Sequence, residues 1–344
     1  MKETHKKSQI QLNPVDSIAI HLASSVKRLD SEIKKNIQDK EIIVTNIASH
    51  LIMGKSKKIR PLLTLLFAKI LKYKGSAHFN LAVCIEFIHN ATLLHDDVVD
   101  GAKIRRGKKA ANLIWGNKLS ILVGDYLLSK SFKLMVKDKS IKVLEILSNT
   151  SLILARGQIQ DASNISNAHL TEKDYLELIF AKTAELFSVS CYLPAVLANK
   201  SLRIQNELKD FGKNFGMAFQ LSDDYLDYFG NSKKMGKNIG KDFLEGKITY
   251  PLIHCYRNTS KINQIFLNKI LKKSRRNNIE FLKVLKIMEL SNTKLESLKF
   301  TNKYLKKAQN SIKRFEGDSD KVYLCLLYTS DAADDLLCVD LGGR

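Results

Sequence analysis

The stretch TLLHDDVVDGAKIRRG, Thr92 to Gly107, places Asp96, Asp97 and Asp100 within five residues at the end of an apolar run. Arg105 and Arg106 follow five residues later. Residues four apart on a helix share a face, about 6 Å apart along the axis, so Asp96 and Asp100 point together with Asp97 beside them. A near copy stands downstream in FQLSDDYLD, with Asp223, Asp224 and Asp227 at the same spacing. Two like charges at 4 Å cost about 1 kcal/mol in water and about 4 kcal/mol at an effective dielectric of 20. Two such clusters facing one cavity therefore call for hard divalent cations. Mg²⁺ fits, because it takes oxygen ligands and typically binds one or two carboxylates plus substrate phosphates. Zinc is disfavoured, since no His/Cys set accompanies the aspartates. Two ordinary acidic helix ends would account for one cluster, but explain the repeated spacing poorly.

Positive groups supply the counterpart. Beyond Arg105 and Arg106, the loop KSKKIRP carries Lys57, Lys58 and Arg60, and a helical KT pair carries Lys182 and Thr183. The segment MGKNIGKDFLEGKITYP adds Lys237, Lys241 and Lys247. Arginine forks match phosphate oxygens, and lysine acts as a point charge. Singly, each reads as a solvated surface charge. Together with two carboxylate clusters, they describe a site for two diphosphates.

The elements that must position these groups are helices. Helical periodicity runs almost unbroken from Pro14 to Phe315, and strand signals are poor. LAVCIEFIHNATLLHDD is apolar on nearly every face and is expected at the centre. Leu170 to Ala198 reads as one long helix opened by a Thr171 cap, and Asn206 to Phe229 as another. Glycines cluster around Gly54 and from Gly230 to Gly246, marking the loops of interest. With 344 residues, four prolines, no linker and no repeat, the chain reads as a single all-α domain. Its boundaries are placed at 15–324, after a flexible 1–14 segment.

The net charge of +21 invites a nucleic-acid reading, but the lysines are scattered along most helices. No aromatic-interleaved basic platform accompanies them, so a solvated lysine-rich surface is expected, with weak attraction to anionic membranes. Five cysteines without a CxxC pair, three in apolar surroundings, suit a reducing cytoplasm. The N-terminus lacks the apolar core of a signal peptide, and no apolar run reaches the roughly 18 residues of a membrane span. The last twenty residues, CLLYTSDAADDLLCVDLGGR, contain no lysine and read as translated foreign sequence rather than a native acidic tail.

From about Ile43 to Pro251, and more weakly to Phe315, the chain resembles the trans-isoprenyl diphosphate synthases of the polyprenyl synthetase family. LLHDDVVDGAKIRRG, NLIWGNKLSILVGDYLL, GMAFQLSDDYLDY and GKDFLEGKITYPL carry the likeness. It implies a helical bundle around a central cavity and a homodimer. It also implies three Mg²⁺ ions per substrate-loaded site, held by Asp96, Asp100 and Asp223. Asp97, Asp224, Asp227 and Lys182 would complete the catalytic set. Arg105, Lys182, Thr183, Gln220 and Lys237 would contact an allylic diphosphate such as farnesyl diphosphate. Lys57, Arg60, His89 and Arg106 would cradle isopentenyl diphosphate. His95 and Cys84 keep a structural reading. The family's GGKRxRP stands here as KSKKIRP, and its GExxQ as GQIQD, Gly157 to Asp161.

The reaction so implied is ionisation of the allylic diphosphate, condensation with isopentenyl diphosphate and loss of a proton. Short-chain relatives block the product path with an aromatic residue four or five positions before the first aspartate. Those positions are Thr92 and Ala91, with Ile88 one turn deeper, so a long octaprenyl-to-decaprenyl product, for a quinone side chain, is expected. A terpene cyclase would carry a different second metal motif, and a non-catalytic regulatory subunit would usually lose one aspartate cluster. A shorter-chain synthase and a basic nucleic-acid-binding protein are the remaining alternatives.

Overall fold

The computed structural model describes residues 14–315 except 55, 138, 231–238 and 274, together with 320 and 323. Helices dominate: α1 (Pro14–His21), α2 (Ala23–Ile37), α3 (Ile42–Ile52), α4 (Ile59–Ile70), α5 (Ala77–Val99), α6 (Ala111–Trp115), α7 (Asn117–Lys137) and α8 (Ile141–Ser163) form the first half. The second half comprises α9 (Glu172–Ile179), α10 (Glu185–Leu197), α11 (Leu202–Phe229), α12 (Lys241–Glu245), α13 (Tyr250–Arg257), α14 (Lys261–Leu271), α15 (Asn278–Leu290) and α16 (Thr293–Ser311). All-α is the observed class.

α5 packs on α7 and α4, α10 joins α4 to α11, and α16 lies along α11. As its all-round apolarity implied, α5 is central: Phe79, Leu81 to Ile85, Phe87 and Ile88 are buried. α11 divides the interior. Phe211, Phe215 and Ala218 face the larger core with α4, α5 and α10, while Met217, Leu221 and Tyr228 face a smaller core with α9, α13 and α15. Close approach of α11 to α10 depends on two glycines one turn apart. A Cβ on Gly212 would lie 2.5 Å from the Phe187 carbonyl oxygen, and one on Gly216 would lie 2.6 Å from the Ala184 Cα.

The expected single helix from Leu170 to Ala198 is interrupted. Thr171 caps α9 with a reciprocal capping box to Asp174, but Phe180 to Ala184 forms a π-helical turn before α10 resumes. Such single-turn insertions occur often at functional sites, and this one carries Lys182 and Thr183. The second expected helix starts earlier, at Leu202, because Ser201 accepts the Ile204 amide as its cap.

One strand pair escaped the periodicity reading. β1 (Ile104–Arg105) and β2 (Lys108–Lys109) pair antiparallel in a two-residue-loop hairpin. Arg106 and Gly107, with φ of 51° and 73°, supply the two positive-φ centres that such a turn requires. Cys84, Cys191 and Cys255 are buried free thiols, as their apolar neighbours suggested. The proposed foreign tail, 325–344, lies outside the described residues.

Candidate functional site

The first aspartate cluster is placed by the way α5 ends. Asp100 is the C-cap and Gly101, at φ 60°, the left-handed residue after it. The Ala102 amide donates to the Asp97 carbonyl at 2.9 Å and the Gly101 amide to Val98 at 3.3 Å. This is the double-bonded glycine stop of a helix C-terminus. Carboxylates at that end are opposed by the helix dipole, so they need cations from elsewhere. The loop that follows returns Arg105, whose guanidinium pairs with Asp97 behind the site; both side chains are buried.

A cavity of about 170 Å³ opens between α4, α5, α8, the π turn and α11. From α5, His89, Thr92, Asp96 and Asp100 line it; from α11, Gln220 and Asp223. Lys182 and Thr183 enter from the π turn, and Lys57, Lys58 and Arg60 from the start of α4. Arg105, Arg106, Lys241 and Lys247 complete the positive wall. The two aspartate helices thus face one cavity, as their matching spacing suggested.

Lysines already offset the carboxylates. The Lys182 Nζ lies 2.5 Å from Asp161 Oδ2 and 3.7 Å from Asp96 Oδ1, and the Lys247 Nζ donates to Asp100 Oδ2 at 2.9 Å. Arg60 donates to the His89 ring at 3.2 Å and lies over the Phe187 ring at 4.2 Å. Arg106 donates to the Leu51 carbonyl at 2.8 Å; burial draws its pKa down, against the attraction of Glu86. In this loop the left-handed residue is Lys58, at φ 45°, and it pairs with Asp30 at 3.2 Å.

Several expected members stand elsewhere. Asp97 is buried and held by Arg105, off the cavity surface. Asp224 is buried beneath it, accepting from Tyr175 at 2.5 Å and from Gln220 at 2.7 Å. Asp227 accepts the backbone amides of Lys241 at 3.1 Å and Asp242 at 3.0 Å, anchoring α12. Burial and the neighbouring Asp242 charge raise its pKa to about 8. For Asp97 and Asp224 the reason is angular, since each adjoins a cavity-lining aspartate and successive helix residues diverge by about 100°; Asp227 lies on the Asp223 side one turn on, where the α12 amides take its carboxylate. The same divergence separates Ala91 from Thr92, while Ile88 sits one turn earlier on α5, deeper in the core. Thr92 lines the cavity, whereas Ala91 and Ile88 lie in the core. They share a helical face with Cys84, which donates to Ser131 of α7. His95 packs on Gly124 and pairs with Asp125, in keeping with a structural role. Lys237 lies outside the described residues.

Gln158 and Asp161, from the altered GQIQD segment, were not singled out from the sequence for the site. Gln158 donates to Asp96 at 3.3 Å, and Asp161 takes Lys182. Their i,i+3 spacing on α8, directly at the departure from the family pattern, was the available signal.

The polyprenyl synthetase family model matches residues 41–288, more than two thirds of the chain. The chain belongs to the polyprenyl synthetase family. Family membership makes it a chain-elongating prenyltransferase. It is 39% identical to the octaprenyl diphosphate synthase of Escherichia coli over 232 residues, 67% of this chain and 69% of that one. It resembles the solved structure of a decaprenyl diphosphate synthase from Rhodobacter capsulatus with a TM-score of 0.86 and 33% identity, covering 95% and 98% of the two chains. A Caulobacter crescentus polyprenyl synthase complexed with calcium and isoprenyl diphosphate also matches at 0.86, with 34% identity over 96% and 98%.

Proposed function

We propose that this polyprenyl synthetase extends an allylic diphosphate such as farnesyl diphosphate with isopentenyl diphosphate to a long all-trans product, octaprenyl to decaprenyl, in a Mg²⁺-dependent reaction. The observation that carries this reading is the single cavity in which Asp96 and Asp100 of α5 meet Asp223 of α11 beneath a wall of lysines and arginines. The donors suit Mg²⁺, being carboxylate oxygens with open space between them for phosphate and water. Among the described residues no three His, Cys, Asp or Glu groups already form a metal cage. That fits an ion whose remaining ligands come from substrate and water rather than protein.

Asp96, Asp100 and Asp223 would hold the ions, which neutralise the diphosphate as it leaves the allylic carbon. Lys182 and Lys247 are placed to take up the phosphate oxygens when freed from their carboxylates. Arg60, His89, Arg106 and Lys57 form the second anion subsite, for isopentenyl diphosphate. Leu93, Leu154 and Phe219 exclude water from the reacting carbon. The small Thr92 at the wall, and relatives named for eight- to ten-unit products, favour a long chain. Exposed Leu122, Phe132 and Val136 along α7, with Leu152 and Ile159 of α8, offer an apolar face for a second copy, so a homodimer is proposed. No described helix is long and apolar enough to cross a membrane. A cytoplasmic enzyme supplying a quinone side chain is the matching cellular role.

The test is incubation with isopentenyl diphosphate, farnesyl diphosphate and Mg²⁺, followed by chain-length analysis. Asp96→Ala and Asp223→Ala should each lower turnover at least about a hundredfold, the scale of losing one preorganised electrostatic contact, with circular dichroism unchanged. Activity within a few-fold of the parent in both variants would sink the two-cluster mechanism. A folded parent that makes no product alone would favour a regulatory subunit.

A further inference from the structure

Tyr175 belongs to α9, outside both aspartate motifs, and its side chain is 1% exposed. Its hydroxyl donates to Asp224 Oδ2 at 2.5 Å. The other carboxylate oxygen, Oδ1, accepts from the Gln220 amide nitrogen at 2.7 Å. The Gln220 amide oxygen in turn accepts from the Thr183 hydroxyl at 2.8 Å. These four groups form one directional chain from the smaller core to the cavity wall, which Gln220 and Thr183 line. Its direction is set at Asp224. An ionised carboxylate only accepts, so Gln220 must turn its NH₂ towards it and its oxygen towards Thr183. That in turn commits the Thr183 hydrogen to Gln220.

We infer that Tyr175 is a positioning residue of the active site: through Asp224 and Gln220, its hydroxyl sets the orientation of Thr183 and of the π turn that also carries Lys182. The π turn is a five-residue insertion between α9 and α10, and Thr183 is its buried polar group. Asp224 then acts in the second motif as a relay rather than a metal ligand, which explains its burial at 2% exposure beside cavity-lining Asp223. With Tyr175 lacking its hydroxyl, Asp224 Oδ2 loses that hydrogen bond in a buried setting, the carboxylate can turn, and the Gln220 amide it holds shifts with it.

The inference rests on the synthase reading above, and the experiment separates the two. Tyr175→Phe keeps the ring and removes only the hydroxyl. It should raise KM for the allylic diphosphate about tenfold, leaving KM for isopentenyl diphosphate and the Mg²⁺ concentration for half-maximal rate unchanged. Calorimetric binding of an unreactive allylic thiolodiphosphate should weaken by the same factor. In a Thr183→Val background, where the far end of the chain is already cut, Tyr175→Phe should cost less than twofold. Asp224→Asn provides the same comparison if Tyr175→Phe folds poorly, as judged by thermal melting. An undiminished effect of either variant in the Thr183→Val background would overturn the relay, as would parent-like binding and kinetics of folded Tyr175→Phe. A shift in Mg²⁺ demand with Asp224→Asn would instead make Asp224 a ligand and also overturn it. An inactive parent would reject the synthase reading itself.

Discussion

Arg105, in the cavity wall, illustrates how a single side chain can also serve the site by holding a group behind it. Its guanidinium fastens Asp97, which would otherwise be an uncompensated carboxylate in the core behind the cavity. Breaking a buried pair by removing one partner typically costs about 3–5 kcal/mol. Arg105→Leu should therefore lower unfolding stability by about that amount, measured by urea denaturation. The double variant Arg105→Leu, Asp97→Leu should recover much of it, because no charge is then stranded. A loss below about 1 kcal/mol for Arg105→Leu would show that water reaches Asp97.

At the scale of elements, two predictions follow from packing. Gly212 brings α11 against α10 closely enough that a Cβ would meet the Phe187 carbonyl at 2.5 Å. Alanine is the better helix former by about 1 kcal/mol, yet overpacking costs about 1–3 kcal/mol. Gly212→Ala should therefore destabilise, and a raised melting temperature would refute the close approach. The second concerns the start of α5, where the His78 ring meets Tyr73 edge-on and Phe79 at a tilt. Burial, with Arg28 nearby, lowers its pKa to about 4. The unfolded chain takes up this proton near pH 6.5, and the folded one only near 4. Stability from this group is thus complete above pH 6.5 and is lost as pH falls towards 4. His78→Phe should flatten the melting temperature between pH 7.5 and 5, relative to the parent.

The whole molecule shows which information the sequence holds openly. Helix content, the central place of α5 and the meeting of the two aspartate helices follow from periodicity and repeated spacing. So do the cations of the site, since charge must be balanced. What stayed hidden depends on angles and partners. No spacing rule says that Asp97 turns inward, that Asp224 meets Tyr175 from a distant helix, or that a π turn breaks the helix after Ile179. Hairpin residues Arg106 and Gly107 adopt positive φ without an Asn-Gly signal. The chain-length prediction is sharpened by the same geometry. Thr92→Phe puts a ring on the cavity wall and should shift the main product towards farnesyl or geranylgeranyl diphosphate, by chromatography of the hydrolysed products. Ala91→Phe, pointing into the core, should first cost about 1–3 kcal/mol of stability. An unchanged product distribution from folded Thr92→Phe would place the growing chain elsewhere.

The lysines that clasp Asp96, Asp161 and Asp100 have a consequence for how the site fills. A free divalent ion arriving alone must compete with ammonium groups already seated on its carboxylates. A bare diphosphate arriving alone can draw those lysines away only by leaving aspartates uncompensated. Arriving together, each resolves the other's cost: the ion takes the carboxylates as the lysines turn to phosphate. Metal and diphosphate should consequently bind with positive cooperativity, each raising the other's affinity by the same factor, as linkage requires. On the proposed reading, the empty enzyme would be guarded against stray cations, its catalytic charge being assembled only when there is a substrate to ionise.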